Sequence, residues 1–500
     1  MLYMEDIYQT NSLSFKNKKD GLINFRTVSY VLGILVLVEA GLFAICAGIS
    51  AIYHESSYIC FVWAILINIG IGGVMILAGN RKSNIVSRRD GYCIVSISWI
   101  LFTLLGMLPF YLSGYIPSVT DAFFETMSGF TTTGATILND IESLPHGLLF
   151  WRSFTQWIGG LGIVLFTIAF SGSSQQLFLS EATGVTHDKI HPKIKVMARY
   201  LWLIYIGLTL LEVVLLMLGG MNLFDALCQA FATTATGGFS TKQDSISYWN
   251  SPYIEYVISI FMILSGINFS LYYFALNGKY KKLLKDGELH WFLASIAILT
   301  VIIAFALVIT DYYDIETAFR KALFQVATTH TSCGFATDDY NLWPPFTWML
   351  LIWAMISGGC TGSTSGGVKN LRLLIMFQNI RNQFRQMLHS RAVLPVHINN
   401  DQVPVQTSAL VYTFFVTYLI CIFIGWTLLM CFGVGLTESF STVISAIGNV
   451  GPGLGAFGPV FSWAALPDAA KWILSALMLV GRLEIFGVLL LFDKRFWTDY

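Results

Sequence analysis

Residues 121–136 read DAFFETMSGFTTTGAT, and three further stretches of the chain align with them without a gap. Residues 225–240 read DALCQAFATTATGGFS, residues 321–336 read KALFQVATTHTSCGFA, and residues 438–453 read ESFSTVISAIGNVGPG. Each copy has a glycine thirteen residues after its first position, and successive copies lie roughly 100 residues apart. A period of this size indicates four copies of one structural unit.

Each copy begins with helix-compatible residues and ends in a run of Thr, Ser, Gly and Asn. Asp121, Asp225 and Glu438 open three copies, where an acid would cap free N–H groups and favour the positive end of the helix dipole. Lys321 opens the third copy and breaks this pattern. The copies are too short to cross a bilayer and too apolar for exposed loops, which is typical of re-entrant hairpins.

Four polar runs around one axis would present rings of carbonyl oxygens, which can replace the hydration shell of a monovalent cation. Glycine at the recurring position allows positive φ and close backbone approach. Packing of small residues between helices would explain any single run equally well, but four runs in register favour the ring. The predicted potassium-binding residues are Thr132, Thr133, Gly134, Thr236, Gly237, Gly238, Ser332, Cys333, Gly334, Asn449, Val450 and Gly451.

The composition defines the environment of these hairpins. Of the 500 residues, 55% are hydrophobic and 12% are charged, with 29 basic and 29 acidic side chains. These values exclude a disordered protein, a basic nucleic-acid binder and an ordinary soluble enzyme, and they indicate an all-α membrane protein that crosses the bilayer several times. Apolar stretches of spanning length lie at about 28–52, 58–79, 91–113, 149–171, 199–219, 253–277, 290–311, 345–378, 406–432 and 469–493.

Most of the 29 basic residues lie in segments that share one side of this topology. The positive-inside rule therefore predicts cytoplasmic termini and hairpins that enter from outside. The outer segments are acidic, which would concentrate cations, although solvated loop charges explain single residues as well. We predict a cytoplasmic N-terminus at 1–27, two extra spans at 28–80, and four repeats of span, pore loop and span at 81–180, 181–285, 286–398 and 399–500.

A glycine-rich segment, GGCTGSTSGG at 358–367, interrupts the eighth apolar stretch. The half-helix before it reaches roughly 20 Å, short of the roughly 30 Å hydrocarbon core, so the segment must lie inside the membrane. A nucleotide-binding P-loop is disfavoured because its spacing and preceding strand are missing. Arg482 lies in another span and is a functional candidate; a structural pair with Glu484 or a loop carbonyl is the alternative.

The segments TTTGAT, ATGGFST, TSCGFAT and GNVGPGLG resemble the four pore loops of the Trk/Ktr/HKT superfamily of potassium transporters. The two extra N-terminal spans and the length are similar to its bacterial TrkH/TrkG branch. The resemblance implies that one chain supplies four non-identical quarters of a potassium-channel-like pore, in a homodimer in the bacterial inner membrane. It also implies an intramembrane gating loop with the residues Gly358, Gly359, Gly362, Ser363, Gly366 and Gly367, facing Arg482.

The same resemblance implies potassium as the transported ion, no covalent cofactor and a cytosolic, nucleotide-binding ring of RCK domains of the TrkA type as partner. The lipid bilayer is the other expected partner, and no nucleic acid is expected. Plant-type relatives with reduced selectivity carry serine at a filter glycine, so four glycines favour potassium over a sodium-permeable or poorly selective transporter. The scattered cysteines predict neither disulfides nor a metal site.

A membrane-embedded enzyme is the alternative from another class. It would need a catalytic set of His and acids in the spans; the nearest candidate, His187–Asp188 with His191, falls in a predicted loop. His330 lies in the third hairpin and is predicted to pack. Interfacial or packing roles are expected for Glu39, Glu212 and Glu255. The sequence therefore predicts a transporter and not an enzyme.

Overall fold

The computed structural model describes residues 23–79, 87–160, 162, 194–392, 394–399 and 401–498, and helices account for most of them. In chain order the helices are α1 Phe25–Ile52, α2 Tyr58–Ala78, α3 Arg88–Gly106, α4 Leu108–Leu112, α5 Val119–Phe130, α6 His146–Gly160, α7 Ile194–Leu218, α8 Leu223–Thr234, α9 Pro252–Ser265, α10 Phe269–Leu276, α11 Tyr280–Leu284, α12 Gly287–Ile309, α13 Ile315–His330, α14 Pro345–Ser357, α15 Asn370–Leu388, α16 Val405–Cys431, α17 Leu436–Gly448, α18 Asp468–Arg482, α19 Phe486–Leu489 and α20 Lys494–Trp497.

A small antiparallel hairpin, β1 His397–Ile398 and β2 Asp401–Gln402, joins α15 to α16. Short 3₁₀ turns lie at Ser245–Trp249, Tyr340–Leu342, Gly455–Phe457 and Leu490–Phe492. The predicted all-α class is therefore confirmed, since the two-residue strands form no layer of their own.

Four units of the same kind follow the helix pair α1–α2. Each unit has a long helix, a short helix with an irregular run behind it, and a second helix. We call these units quarters: α3–α6 is the first, α7–α10 the second, α12–α15 the third and α16–α19 the fourth. The short helices α5, α8, α13 and α17 begin the four aligned stretches and are buried along most of their lengths.

Six straight helices in the described residues are long and apolar enough to cross a membrane: α1, α2, α3 with α4, α7, α12 and α16. Their outward positions carry large apolar side chains such as Val74, Leu77, Phe305 and Phe423. Such side chains suit contact with lipid. A polytopic membrane protein is the class that these helices define.

Two predicted spans are not straight, which corrects the sequence interpretation. The stretch 253–277 bends by 91° between α9 and α10, and the stretch 469–493 bends by 109° after α18. Gly266 and Asn268 separate α9 from α10, and the Asn268 side chain caps the new helix at Ser270 N. After α18, Glu484 and Ile485 adopt positive φ, which no helix tolerates. Hydropathy alone did not register either break.

The predicted side-chain capping by Asp121, Asp225 and Glu438 is wrong, although their predicted place at the positive end of the helix dipole is confirmed. The side-chain caps are Ser118, Asn222 and Asp314, whereas α17 has Gly435 at its N-cap and no side-chain cap. Asp121, Asp225 and Glu438 lie in the first turn instead. The third short helix begins six residues before Lys321, because Asp314 supplies its cap.

Several predictions lie outside the described residues. These are most of the N-terminal segment 1–27, much of the basic segment at 81–89, the last part of the stretch 149–171, and the residues His187, Asp188 and His191.

Candidate functional site

The four irregular runs repeat one backbone conformation. Thr132, Thr236, Ser332 and Asn449 have φ between 52° and 55°, and the glycines two residues later also have positive φ. The residue between them donates its N–H to a carbonyl in the last turns of the short helix. These hydrogen bonds are Thr133 N to Ser128 O (2.9 Å), Gly237 N to Ala232 O (2.7 Å), Cys333 N to Thr328 O (2.8 Å) and Val450 N to Ser445 O (2.9 Å).

The four runs meet in a closed cycle. A β-carbon added to Gly134 would overlap the carbonyl oxygen of Gly237, and one on Gly238 would overlap that of Cys333. A β-carbon on Gly334 would overlap Val450 O, and one on Gly451 would come 2.6 Å from Thr133 O, which closes the cycle. We call these twelve predicted residues the ring. The glycines are required because each touches the backbone of a neighbouring quarter.

Buried polar side chains support the ring from behind. Gln156 Nε2 donates to Gly237 O at 2.6 Å, and Gln156 Oε1 accepts from Phe239 N at 3.0 Å. Asn449 Nδ2 donates to Thr133 Oγ1 at 3.1 Å and to Met478 O at 2.9 Å. The first and fourth quarters are therefore joined by a side chain as well as by backbone contact.

A buried ion pair between Glu125 and Arg152 lies within the first quarter, and Arg152 extends this connection to the second quarter. Arg152 Nε lies 2.7 Å from Glu125 Oε1, and both side chains are almost fully buried. Glu125 also accepts from Ile137 N at 2.9 Å, beyond the first run. Arg152 Nη1 donates to Ser240 O at 2.9 Å, and its guanidinium lies 3.9 Å from the centre of the Phe239 ring. Burial of an ion pair requires such additional hydrogen bonds.

The segment 358–367, which we call the intramembrane loop, lies against the ring. Gly366 N donates to Ser332 Oγ at 2.5 Å, and Thr364 Oγ1 lies 3.4 Å from Thr236 Oγ1. Gly359 and Gly366 are buried, whereas Gly362 is exposed and Ser363 is partly exposed. Gly358, Gly362 and Gly367 have positive φ. The loop therefore touches the second and third runs at their first ring residues.

Arg482 contacts carbonyl oxygens on two sides. Its Nη1 donates to Thr364 O of the loop at 2.7 Å, and its Nη2 donates to Gly159 O at 2.5 Å and to Gly160 O at 2.8 Å. The structural contact of Arg482 with a loop carbonyl, one of the two alternatives to a functional role, is thus present. Glu484 forms an ion pair with Arg372.

The structure gives Lys321 a partner, which sequence reasoning had left without an account. Lys321 Nζ lies 2.8 Å from Glu255 Oε1 in the preceding quarter and donates to Thr337 O at 2.9 Å. Arg320 Nη1 lies 2.5 Å from the other oxygen of Glu255. Glu255 therefore joins two quarters through an ion pair, a role beyond packing.

The other singled-out groups are buried within the bundle. Asn68 donates to Glu39 at 3.2 Å, and Glu212 is fully buried on α7. His330 Nε2 lies 2.6 Å from Ser295 Oγ, and its ring packs edge-on against Phe292. All eight cysteines are free thiols, and the described residues contain no cluster of three or more His, Cys, Asp or Glu that could hold a metal ion.

Sequence reasoning missed the residues behind the ring and the loop, namely Glu125, Arg152, Gln156, Glu288 and Lys471. Their only local signal is that each is a polar side chain in or beside an apolar helix. Several of their partners are distant in sequence: Arg152 lies 27 residues from Glu125, and Lys471 lies 350 residues from Asp121. A charge within an apolar stretch marks such a residue but does not identify its partner.

The bundle and the cyclic arrangement define a polytopic membrane protein whose four quarters surround one centre. A sequence model of the TrkH family, described as "Cation transport protein", matches residues 59–499. The Trk system potassium uptake protein TrkH of Salmonella typhimurium is 35% identical over 485 residues, which cover 95% of this chain and all of that protein. TrkG of Escherichia coli is 34% identical, covering 95% of this chain and 99% of its own length.

A solved structure shows the same fold. The crystal structure of the potassium transporter TrkH from Vibrio parahaemolyticus superposes with a TM-score of 0.87 at 32% identity, covering 95% of this chain and 100% of the other. The chain belongs to the TrkH family of cation transport proteins, and it is a transport protein rather than an enzyme.

Proposed function

We propose that this protein takes up potassium ions across the bacterial cytoplasmic membrane, with the ring as its selectivity filter. The closed cycle of glycine-to-carbonyl approaches carries the proposal, because it brings four backbone runs together as a cation filter requires. Relatives named as potassium uptake proteins support potassium as the cargo. Potassium is transported here and is not a resident cofactor, and no covalent cofactor is needed.

The alternative is a sodium-permeable or poorly selective transporter with the same fold. A filter that coordinates potassium with backbone carbonyls needs all four quarters at the same distance from the ion. The four glycines and the four matching φ values favour this equivalence. The division into quarters at 81–180, 181–285, 286–398 and 399–500, with cytoplasmic termini, is part of the same proposal.

Gly134→Ser tests the filter. Its β-carbon would displace the Gly237 carbonyl, so sodium permeability relative to potassium should rise severalfold. Gly114→Ser is a matched control, because Gly114 has a similar φ of 76° but nothing within 4 Å of an added β-carbon. Reversal potentials in reconstituted bilayers measure the ratio. Equal ratios in both variants would contradict the filter assignment.

We also propose that the intramembrane loop gates the ring and that Arg482 holds it closed. Arg482 places a positive charge next to the loop and bonds Thr364 O, so repulsion of the cation and a physical latch act together. Arg482→Ala should raise basal rubidium uptake per folded molecule several-fold in proteoliposomes, without changing the ratio of potassium to sodium. A variant whose uptake falls together with folded yield would assign Arg482 a structural role instead.

The remaining partners follow from the family resemblance. We propose a homodimer with one ring per subunit and a cytosolic nucleotide-binding ring of the TrkA type that moves the loop. The basic helix α15, with Arg372, Arg381 and Arg385, continues from the loop and would carry such a movement. Growth of a potassium-uptake-deficient bacterium on low potassium, with and without the ring protein, tests both the cargo and the partner.

A further inference from the structure

Glu288 connects the two ends of the intramembrane loop through one oxygen atom. It lies in the first turn of α12 and is 5% exposed. Its Oε1 accepts from Thr361 N at 2.6 Å, near the beginning of the loop, and from Leu371 N at 3.0 Å, just after its end. Sequence reasoning gave this residue no role.

The two ends of the loop are also bonded to each other. Asn370 N donates to Gly359 O at 3.0 Å, and Asn370 Nδ2 donates to Gly358 O at 2.6 Å. These bonds close the base of the loop but attach it to nothing else. Glu288 attaches the closed base to α12, a straight helix of 23 residues.

Other contacts hold the rest of the loop, including Cys360 beside its base. Arg482 and Ser332 bond Thr364 and Gly366, and backbone bonds at Gly266 and Phe269 hold Cys360 and Gly362. These groups belong to the ring, to α18 with its following bend, or to the bent helix pair α9–α10. Glu288 is different, because its helix is continuous over a full span. The hydrogen bonds of Glu288 therefore fix the position of the base of the loop relative to α12.

We propose that Glu288 is the positioning residue of the gate. Its side-chain oxygen fixes the base of the intramembrane loop to α12 and thereby keeps the loop against the ring. Removing the acceptor leaves two buried N–H groups without a partner, which favours arrangements in which the base separates from α12. This inference rests on the proposed gating function of the loop.

Two variants of Glu288 distinguish the contribution of its hydrogen-bond acceptor from that of its side-chain volume. Glu288→Leu has no acceptor, whereas Glu288→Gln keeps Oε1 and is the matched control. Two measurements are made on the purified full-length protein. The first is alkylation of Cys360 by a water-soluble maleimide, mapped by mass spectrometry, because Cys360 lies in the loop and is 1% exposed. Buried Cys333 in the ring is the internal reference. The second is rubidium uptake per folded molecule in proteoliposomes.

We expect Glu288→Leu to raise both the Cys360 alkylation rate and rubidium uptake on the order of tenfold, since two buried N–H groups lose their acceptor. Glu288→Gln should stay within about twofold of the unmodified protein, and Cys333 labelling should not change. If the leucine variant does not fold, Glu288→Asp replaces it, because the shorter side chain keeps a carboxyl group but cannot reach both N–H groups.

The outcomes separate this inference from the gating proposal. Unchanged Cys360 labelling in the leucine or aspartate variant overturns the positioning role, whatever the uptake. A glutamine variant that labels as fast as the leucine variant also overturns it. Raised labelling without raised uptake supports Glu288 as the anchor of the loop but contradicts the proposal that the loop gates the ring.

Discussion

The boundary between the second and third quarters and the boundary between the fourth and first quarters use the same positions with opposite charges. Glu255 is the fourth residue of α9 and binds Lys321, thirteen residues before Gly334. Lys471 is the fourth residue of α18, and its Nζ lies 2.6 Å from Asp121, thirteen residues before Gly134. The geometry of the repeat is kept at both boundaries while the polarity is reversed.

The other two boundaries lack an ion pair at these positions in the described residues. Between the first and second quarters, Leu149 occupies the fourth position of α6. Arg152, which is paired with Glu125 inside the first quarter, donates across this boundary to Ser240 O. Between the third and fourth quarters, Tyr340 Oη donates to Gly453 O at 2.6 Å. The inner ring therefore repeats closely, while each outer boundary has its own chemistry. Differing boundaries discriminate between neighbours, because a wrong pairing would place like charges together.

Among the substitutions at these boundaries, Lys321→Glu should lower the stability of the protein most. It would place a second carboxylate against Glu255, which is 2% exposed, at a cost of about 3–5 kcal/mol. Folded yield by size-exclusion chromatography and the melting temperature in detergent should both fall strongly. Lys242→Glu is the control, since its pair with Glu142 is much more exposed. A melting temperature equal to that of the control would mean that the buried pair does not join the quarters.

Changing the charges at the boundary between the fourth and first quarters should lower the stability by an intermediate amount. Asp121→Lys and Lys471→Glu should each lower the melting temperature, less than Lys321→Glu does, because Asp121 is 25% exposed. The double variant reproduces the polarity of the boundary between the second and third quarters and should recover most of the loss. We expect a coupling of roughly 0.5–3 kcal/mol from the double-mutant cycle. Strictly additive losses would show that the two side chains do not interact energetically.

Of these substitutions, Arg320→Ala should lower the stability of the protein least. Glu255 keeps Lys321 at 2.8 Å, so its charge is still paired, and alanine maintains the helix. We expect a loss of about 1 kcal/mol, measured by the same melting assay. A loss as large as that of Lys321→Glu would make Arg320 the main partner of Glu255.

Much of the fold was predictable because the repeated glycines and the apolar stretches are local signals. The thirteen-residue spacing to Gly134, Gly238, Gly334 and Gly451 identified four equivalent runs, and the structure brings them together. Their use as an ion filter stays a prediction. The break after α9 was missed, because hydropathy averages over Gly266 and Asn268.

The connections between quarters could not be predicted for a different reason. Lys321 with Glu255, and Glu288 with Thr361, are separated by 66 and 73 residues. No period links such partners, and a charged residue in an apolar helix has many possible neighbours. The caps of α5 and α8 were predicted wrongly because Ser118 and Asn222 precede Asp121 and Asp225 by three residues, and a side-chain oxygen at the N-cap reaches the free N–H groups directly.

The closure of the ring within one chain also determines how the protein is made. Asn449 binds Thr133 across 316 residues, and Lys471 binds Asp121 across 350. Synthesis runs from the N-terminus, so the first quarter enters the membrane with one edge open and its acid unpaired until the last quarter arrives. A chain whose synthesis stops before residue 438 lacks the fourth run, and the other three runs cannot complete the ring. Assembly from four separate subunits has no first or last member, whereas this chain has an obligatory final step.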